Sequence, residues 1–343
     1  MDQPTGTGPG GEGSTVRGPD GRDVVAQALA FLPDRLRGAL TRCAAERDGG
    51  VWLEIRFAAG GPLGVVSDRG DLWVGAQGWA SGHEGALHAT VQDVDQTVQL
   101  VTRGSLYAWE RELAEGFCTL PGGHRVGLAG RARTDGGRVV GQSGFIGVNL
   151  RLARAVPGAA DAVLRRLGHG WTSALIFGPP GAGKTTVLRD LCRQVSQGRA
   201  ELGLAPRRVV VIDERGELAA CVDGRPQFDL GPRTDVLDAW PKRHGLVAAL
   251  RALGPQVLAC DELGGAGDAM AVAEASRCGV AVIATVHAGC ADDLRHRPAL
   301  AGLLQTGAFP RAVQLRADRT VGECVSLAPQ AAGAGGRRPC LGA

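Results

Sequence analysis

One stretch of the chain, Gly178-Pro-Pro-Gly-Ala-Gly-Lys-Thr185, constrains the fold more than any other feature of the sequence. It fits the pattern G-x-x-x-x-G-K-[ST] at every fixed position. An apolar run of strand length, Ala174 to Phe177, precedes it. The segment after it has apolar residues at helical spacing, namely Val187, Leu188, Leu191 and Val195. This strand, loop and helix order predicts a phosphate-binding loop in an α/β fold.

The residue types of this loop suit the binding of a nucleoside triphosphate. Backbone N–H groups at a helix N-terminus attract phosphate, and glycines let the backbone approach it closely. We expect the Lys184 ammonium to contact the β- and γ-phosphates and the Thr185 hydroxyl to bind Mg²⁺. The expected cofactors are therefore ATP and Mg²⁺. The predicted nucleotide-binding residues are Gly178, Pro179, Pro180, Gly181, Ala182, Gly183, Lys184, Thr185 and Thr186.

Composition limits the other possible classes. A length of 343 residues suggests two domains. The net charge of +3 is close to balanced and aromatic residues make up 4%, which gives little support for a nucleic-acid surface. The nine cysteines form no C-x-x-C pair, which favours reduced thiols over a zinc site or a disulfide framework. We find no signal peptide and no apolar run long enough to span a bilayer.

The chain divides into four parts by pattern. Residues 1–22 and 328–343 are rich in glycine and proline and are expected to be disordered tails. Residues 23–152 predict a smaller α+β domain with helices split at Pro33, strands between Val51 and Val74, a helix from Asp93 to Tyr107, and a strand-rich meander. Residues 153–327 alternate strand and helix, which predicts a RecA-like parallel sheet covered by helices on both faces.

Two acidic strand ends follow the loop. The apolar run Val257 to Cys260 leads into Asp261 and Glu262, as in a Walker B strand. We expect Asp261 to hold Mg²⁺ and Glu262 to polarise the attacking water. An earlier strand ends in Asp213 and Glu214, which offers an alternative acid pair, and Glu214 is a candidate for assisting catalysis near the nucleotide.

A third strand, Ala281 to Val286, ends at His287. In a parallel sheet it would lie beside the Walker B strand, so Thr285 or His287 could sense the γ-phosphate. A GTPase is disfavoured because its guanine-reading Asn-Lys-x-Asp motif is absent, the only asparagine being Asn149. An ATP hydrolase with a catalytic glutamate remains. A RecA-like motor acting on single-stranded nucleic acid is the leading alternative, because the diffuse arginines could form a patch, and a nucleotide-gated scaffold with little turnover is a third.

The chain resembles the stage III sporulation protein AA family of ATPases from endospore-forming bacteria over about residues 23–327. The resemblance rests on the stretches SLYAWERELAEGFCTLPGGHRVGLAGRA, VVVIDERGELAAC, GRPQFDLGPRTDVLDAWPKRHGLVAALRALGPQVLACDELG and VAVIATVHAG, with the loop between them. It departs at Ala259 and Cys260, where bulkier aliphatic residues are usual. More distantly, it is similar to hexameric ATPases of type II and type IV secretion and of pilus retraction, which also carry an acidic strand end before Walker B and Thr-x-His after it.

This resemblance implies a homo-oligomeric ring, with a hexamer favoured. It implies a cytoplasmic protein, peripheral to the inner membrane through integral membrane partners of a channel between mother cell and forespore. It also implies that arginines of the first domain reach a neighbouring subunit's nucleotide. Arg131, with Arg125 on the same predicted strand, is the catalytic candidate for this role, and Arg233 is the next candidate.

Overall fold

The computed structural model describes residues 21–46, 49–168, 173–296, 300, 304 and 307–327. Most of the predicted tails, residues 1–20 and 328–343, lies outside them, whereas residues 21 and 22 of the predicted first tail, 1–22, belong to a helix. The first two helices are α1 (Gly21–Leu29) and α2 (Asp34–Ala45), and the break between them at Pro33 is as predicted. Proline has a fixed φ and no N–H, so it suits the start of a helix but not its interior.

An antiparallel sheet of seven strands follows these helices. In space the strand order is β4-β3-β2-β1-β7-β6-β5, and every neighbouring pair is antiparallel. The strands are β1 (Trp52–Ala58), β2 (Gly64–Ser67), β3 (Gly70–Val74), β4 (Trp79–Ala80), β5 (Phe117–Thr119), β6 (Arg125–Asp135) and β7 (Arg138–Arg151). One apolar cluster, formed by residues from Val24 to Leu152, packs the helices onto this sheet.

Two further helices, α3 (Val91–Thr102) and α4 (Glu110–Glu115), lie between β4 and β5. Helix α3 begins at a capping box in which the Thr90 side chain and Asp93 satisfy each other's backbone N–H groups. It ends earlier than the Tyr107 expected from the sequence, because Arg103 takes a left-handed conformation with φ 50°.

The second sheet also has seven strands and carries the phosphate-binding loop. The strand order is β10-β9-β11-β12-β8-β13-β14, parallel except between β13 and β14. Its strands are β8 (Ala174–Gly178), β9 (Val209–Asp213), β10 (Thr234–Asp238), β11 (Val257–Cys260), β12 (Ala281–His287), β13 (Arg311–Leu315) and β14 (Val321–Ser326). Its helices are α5 (Asp161–Leu167), α6 (Lys184–Gln197), α7 (Lys242–Ala252), α8 (Ala266–Arg277) and α9 (Ala291–Arg295).

Alternate residues of the central strands enter different cores. Ile176, Val211 and Ala259 pack with α5 and α6, whereas Phe177 and Ile212 pack with α7 and α8. Successive strand residues point to opposite faces, so apolar residues at every position mean that both faces are covered. The predicted α/β class is confirmed, with a parallel sheet preceded by an antiparallel α+β part. Strands β10, β13 and β14 had not been predicted.

Seven cysteines in the described segments are free thiols, and Cys43, Cys118, Cys192 and Cys260 among them are buried. The expectation of reduced thiols is wrong for Cys290, which is in a disulfide bond. None of the helices within the described ranges combines the length and apolar character that a bilayer crossing requires.

Candidate nucleotide-binding site

The loop between β8 and α6 has the backbone conformation that its glycines predict. Gly181 and Gly183 have φ values of 76° and 85°, in the left-handed region that other residues rarely adopt. Gly178 is constrained differently, because a Cβ there would lie 2.3 Å from the backbone oxygen of Leu315 on the neighbouring strand. At Gly181 and Gly183 an added Cβ would meet no atom within 4 Å, so the space beside the loop is open to a ligand.

The other predicted loop residues differ in exposure. Ala182 is buried, Pro179 and Thr186 are half-buried, and Pro180 is exposed. Thr186, in the first turn of α6, lines a cavity of about 660 Å³ that also contacts α1 and residues 153–157. The residues that the sequence predicts to bind the nucleotide therefore lie around the first turn of α6.

Lys184 is buried at this helix start, with 6% of its surface exposed. Its Nζ donates to the carbonyl oxygens of Gly178 at 3.0 Å and Pro179 at 2.9 Å, and lies 3.0 Å from His287 Nδ1. Burial lowers the pKa of Lys184, and the charges of Asp261 and Glu262 oppose that shift. The ammonium thus lies within the loop, next to negative charge.

Thr185, Asp261 and Thr285 form a hydrogen-bonded group beside the lysine. The Thr185 hydroxyl donates to Asp261 Oδ2 at 2.6 Å, and the Thr285 hydroxyl donates to Asp261 Oδ1. The two residues predicted to bind Mg²⁺ are therefore in direct contact. A hydroxyl and one carboxylate suit Mg²⁺, which usually takes its remaining ligands from phosphate and water.

No group of three or more His, Cys, Asp or Glu side chains in the described part of the chain could hold a metal by itself. The Thr185 hydroxyl, the Asp261 carboxylate and the open space beside the loop fit Mg²⁺ and a nucleotide phosphate.

The Glu262 carboxylate is in contact with two side chains, those of His287 and Arg215. His287 Nε2 lies 2.7 Å from Glu262 Oε1, and Arg215 Nη1 donates to Glu262 Oε2 at 3.0 Å. Because His287 Nδ1 accepts from Lys184, the neutral imidazole with its proton on Nε2 satisfies both contacts. Burial acts to raise the pKa of Glu262, but the hydrogen bond from His287 and the charges of Arg215 and Lys184 outweigh it, so the pKa is lowered.

The register of the parallel strands brings these residues together. His287 on β12 pairs with Gly178 on β8, and Ala284 pairs with Cys260 on β11. Strand β12 therefore lies between the P-loop strand and the Walker B strand, beside the latter as the sequence predicted. Since carboxyl ends of parallel strands meet at one edge, Asp261 and Glu262 follow β11 at the place where the loop follows β8.

The earlier acidic pair has different surroundings. Asp213 is 2% exposed, and its carboxylate accepts from the backbone N–H groups of Glu217, Leu218 and Ala219 at 2.7–3.1 Å. It therefore shapes the loop after β9. Glu214 accepts from the Lys242 backbone N–H at 3.2 Å, and its other oxygen lies 3.3 Å from Lys242 Nζ.

The arginine candidates lie in three different environments. Arg131 is in an exposed part of the β6–β7 hairpin, residues 129–140. Arg125 is engaged within the chain, because it pairs with Glu217 at 2.9 Å and donates to the Arg215 carbonyl at 2.7 Å. Arg233 precedes β10 and donates to the Ser196 carbonyl near the end of α6. That position is at the amino ends of the parallel strands, opposite the loop, so Arg233 does not face this site.

Two residues in contact with Glu262 had not been predicted, Arg215 and Lys242. Lys242 Nζ donates to the Glu262 carbonyl at 2.9 Å. A compositional signal was available for Lys242, since Lys184 and Lys242 are the only lysines beside 36 arginines. Arg215 carried no such signal among so many arginines.

A parallel sheet, a P-loop at the edge where its strands end, and an adjacent acidic strand end define the class of P-loop ATPase folds seen in secretion and pilus motors. The Legionella pneumophila ATPase DotB superposes with a TM-score of 0.52 at 15% identity, covering 77% of this chain and 72% of that one. The pilus retraction motor PilT with bound ADP gives 0.51 at 17% identity, covering 81% and 76%. At these identities the likeness concerns the fold.

The family follows from the sequence comparison. The model for sporulation stage III, protein AA matches residues 23–331, and the chain belongs to that family. Stage III sporulation protein AA of Bacillus subtilis (strain 168) is 36% identical over 288 residues, which cover 83% of this chain and 88% of that protein. The resemblance expected from the motifs is confirmed.

Proposed function

We propose that the protein is a Mg²⁺-dependent ATP hydrolase. The observation that carries this proposal is that Lys184, Thr185, Asp261 and Glu262 meet at one edge of the parallel sheet. Lys184 and Thr185 follow the loop, Asp261 and Glu262 follow the Walker B strand, and Glu262 is a carboxylate with a lowered pKa. Such a group is ionised at neutral pH and can accept a proton from water.

Each residue then has a distinct task. Lys184 would contact the β- and γ-phosphates of a bound nucleotide, and Thr185 and Asp261 would hold Mg²⁺, which would supply positive charge to neutralise developing phosphate charge. Glu262 orients the attacking water and accepts its proton. His287 contacts both Lys184 and Glu262, so a phosphate that attracts the lysine also changes the surroundings of the base. Glu214 acts indirectly, through its ion pair with Lys242.

We propose further that hydrolysis powers a membrane-associated, secretion-like assembly, the channel between mother cell and forespore during endospore formation. Membership of the stage III protein AA family supports the setting, and the shared fold with a pilus retraction motor supports a mechanical use of ATP. In this proposal the protein forms a homo-oligomeric ring, a hexamer, and works on the cytoplasmic face of the membrane by contacting integral membrane components.

A ring also gives the exposed Arg131 a role. No contact of its guanidinium with the site of its own chain is present within the described residues, and the hairpin that carries it is exposed over residues 129–140. We propose that it reaches the nucleotide of a neighbouring subunit, where an arginine supplied in trans increases the hydrolysis rate by about 10³–10⁵-fold.

Steady-state ATPase assays on the purified chain with and without Mg²⁺ test the central proposal. Lys184→Ala should weaken ATP binding by an order of magnitude or more, because the phosphates lose a buried cation. Glu262→Gln should bind ATP normally but turn over about 10²–10⁴-fold more slowly, because an amide cannot accept the proton.

Three results would count against parts of the proposal. Unchanged ATP affinity in Lys184→Ala would show that the loop is not the nucleotide site. Normal turnover in Glu262→Gln together with loss in Glu214→Gln would transfer the base to the other acid pair. Strong stimulation of turnover by single-stranded DNA or RNA would favour a nucleic-acid motor over a membrane assembly.

A further inference from the structure

The second lysine of the chain lies under the proposed catalytic glutamate. Lys242 begins helix α7, and only 10% of its side chain is exposed. Its Nζ donates to the backbone carbonyl of Glu262 at 2.9 Å and lies 3.3 Å from Glu214 Oε2. The other oxygen of Glu214 accepts from the Lys242 backbone N–H at 3.2 Å. The Glu214 carboxylate thus contacts both the backbone N–H and the ammonium of Lys242, and that ammonium is directed at the Glu262 carbonyl.

That carbonyl belongs to a residue with an unusual backbone. Glu262 has φ 51°, a left-handed conformation that is costly for a residue with a side chain. Such a residue keeps its conformation only where its surroundings over-determine it, and these residues concentrate at functional sites. The conformation turns the chain at the end of β11, so that the side chain points to His287 and Arg215.

Hydrogen bonds to the peptide groups before and after Glu262 oppose a change in its backbone conformation. Its N–H donates to the Thr285 hydroxyl at 2.8 Å, and the next N–H, that of Leu263, donates to the Thr285 carbonyl at 2.9 Å. Within the described residues, the carbonyl of Glu262 accepts its hydrogen bond from Lys242. Strand β12 therefore holds the N–H groups of the peptides on both sides of Glu262, and Lys242 holds the carbonyl of the second peptide.

We propose that Lys242, held by Glu214, is a positioning residue that keeps Glu262 in its left-handed conformation and so directs the carboxylate at the attacking water. This inference rests on the proposed function of Glu262. A lysine suits the position because a compact ammonium can satisfy one carbonyl and one carboxylate oxygen in a space with little exposure, whereas a guanidinium is larger and planar. The proposal also explains Glu214 as the counter-ion of Lys242 rather than as a second base.

The first test compares Lys242→Met with Arg251→Met, which removes a cation from the exposed far end of the same helix. We expect Lys242→Met to lower kcat by about 10- to 100-fold, because the free energy of a hydrogen bond from a charged group corresponds to a rate factor of this size. Nucleotide affinity should change by less than about threefold, and Arg251→Met should match the wild type. Lys242→Gln, which keeps a donor without the charge, should recover part of the loss.

A double-mutant cycle separates positioning from general stability. If Lys242 acts through the carboxylate of Glu262, Lys242→Met should lower kcat almost no further when it is introduced into the Glu262→Gln variant. Equal losses in both backgrounds would overturn the proposal, as would wild-type kcat in Lys242→Met or a loss confined to ATP binding.

A structural measurement keeps the inference testable whatever the activity of the wild type. Crystal structures of full-length Lys242→Met and Lys242→Gln should show the Glu262 backbone leaving the left-handed region in the first variant and its carboxylate moving away from His287. An unchanged φ near 50° in Lys242→Met would refute the inference. Absence of turnover in the wild type would instead refute the proposed function. If Lys242→Met does not fold, Glu214→Gln, which removes only the counter-ion charge, is examined in the same way.

Discussion

Thr285 provides a sharp test of how the two acids of the Walker B strand are oriented. The residue is fully buried on β12, and its hydroxyl makes two hydrogen bonds. It donates to Asp261 Oδ1 and accepts from the Glu262 N–H at 2.8 Å. Thr285→Val keeps the branched shape of the side chain and removes both bonds, and Thr285→Ser keeps the hydroxyl and removes only a methyl group.

The structure sets the size of the effect. Losing a hydrogen bond to a charged carboxylate costs about 1.5–3 kcal/mol. The Glu262 N–H keeps a longer contact with Asp261 Oδ1 at 3.2 Å, so its contribution adds roughly 1 kcal/mol or less. If the whole loss fell on the transition state, the rate would fall roughly 10- to 900-fold. Because part of the loss destabilises the folded state, we expect Thr285→Val to lower kcat about 10- to 100-fold.

The assay is steady-state ATP turnover at saturating Mg²⁺, with a binding measurement and a thermal melt of each variant. Thr285→Ser should keep kcat within about threefold of the wild type, at a stability cost of about 1 kcal/mol for the lost methyl group. The reasoning would be refuted by a folded Thr285→Val whose kcat also stays within threefold. It would likewise fail if serine and valine reduced kcat equally, because the hydroxyl would then be irrelevant.

Three other predictions concern the fold and the ring. Burial lowers the pKa of His124 from its ordinary value of 6.5 to about 4, so the folded state disfavours the imidazolium. Stability should be fully present above pH 6.5 and fall by ~2 kcal/mol at pH 5, and denaturant unfolding should show this loss disappearing in a folded His124→Gln variant. Gly178→Ala should destabilise by about 1–3 kcal/mol or more in a thermal melt, because its Cβ would meet the Leu315 carbonyl. Mixing inactive Arg131→Ala with inactive Lys184→Ala should restore part of the ATPase activity, and no recovery in a mixture shown to co-assemble would exclude a trans arginine.

Local pattern was enough to predict the class of fold and the centre of the site. The P-loop needs glycines in left-handed conformation and a strand and helix on either side, and all of these are contiguous in the sequence. The central strands are apolar at every position because helices cover both faces of the sheet, so their runs are visible without a structure. Strand β10 escaped prediction because it lies at the sheet edge, half-exposed and interrupted by acids.

What the sequence could not supply was the choice of partners across the sheet. Glu214 and Glu262 both follow apolar strands, yet Glu262 lies against His287 and Arg215 whereas Glu214 lies against Lys242. These contacts depend on the strand order and register and on one left-handed residue at the end of β11, which no local pattern determines. The sequence alone therefore determined which residues are candidates for binding and hydrolysing a nucleotide. Only the tertiary structure decided which residue orients which, because side chains 20 or more positions apart meet only when the parallel strands align.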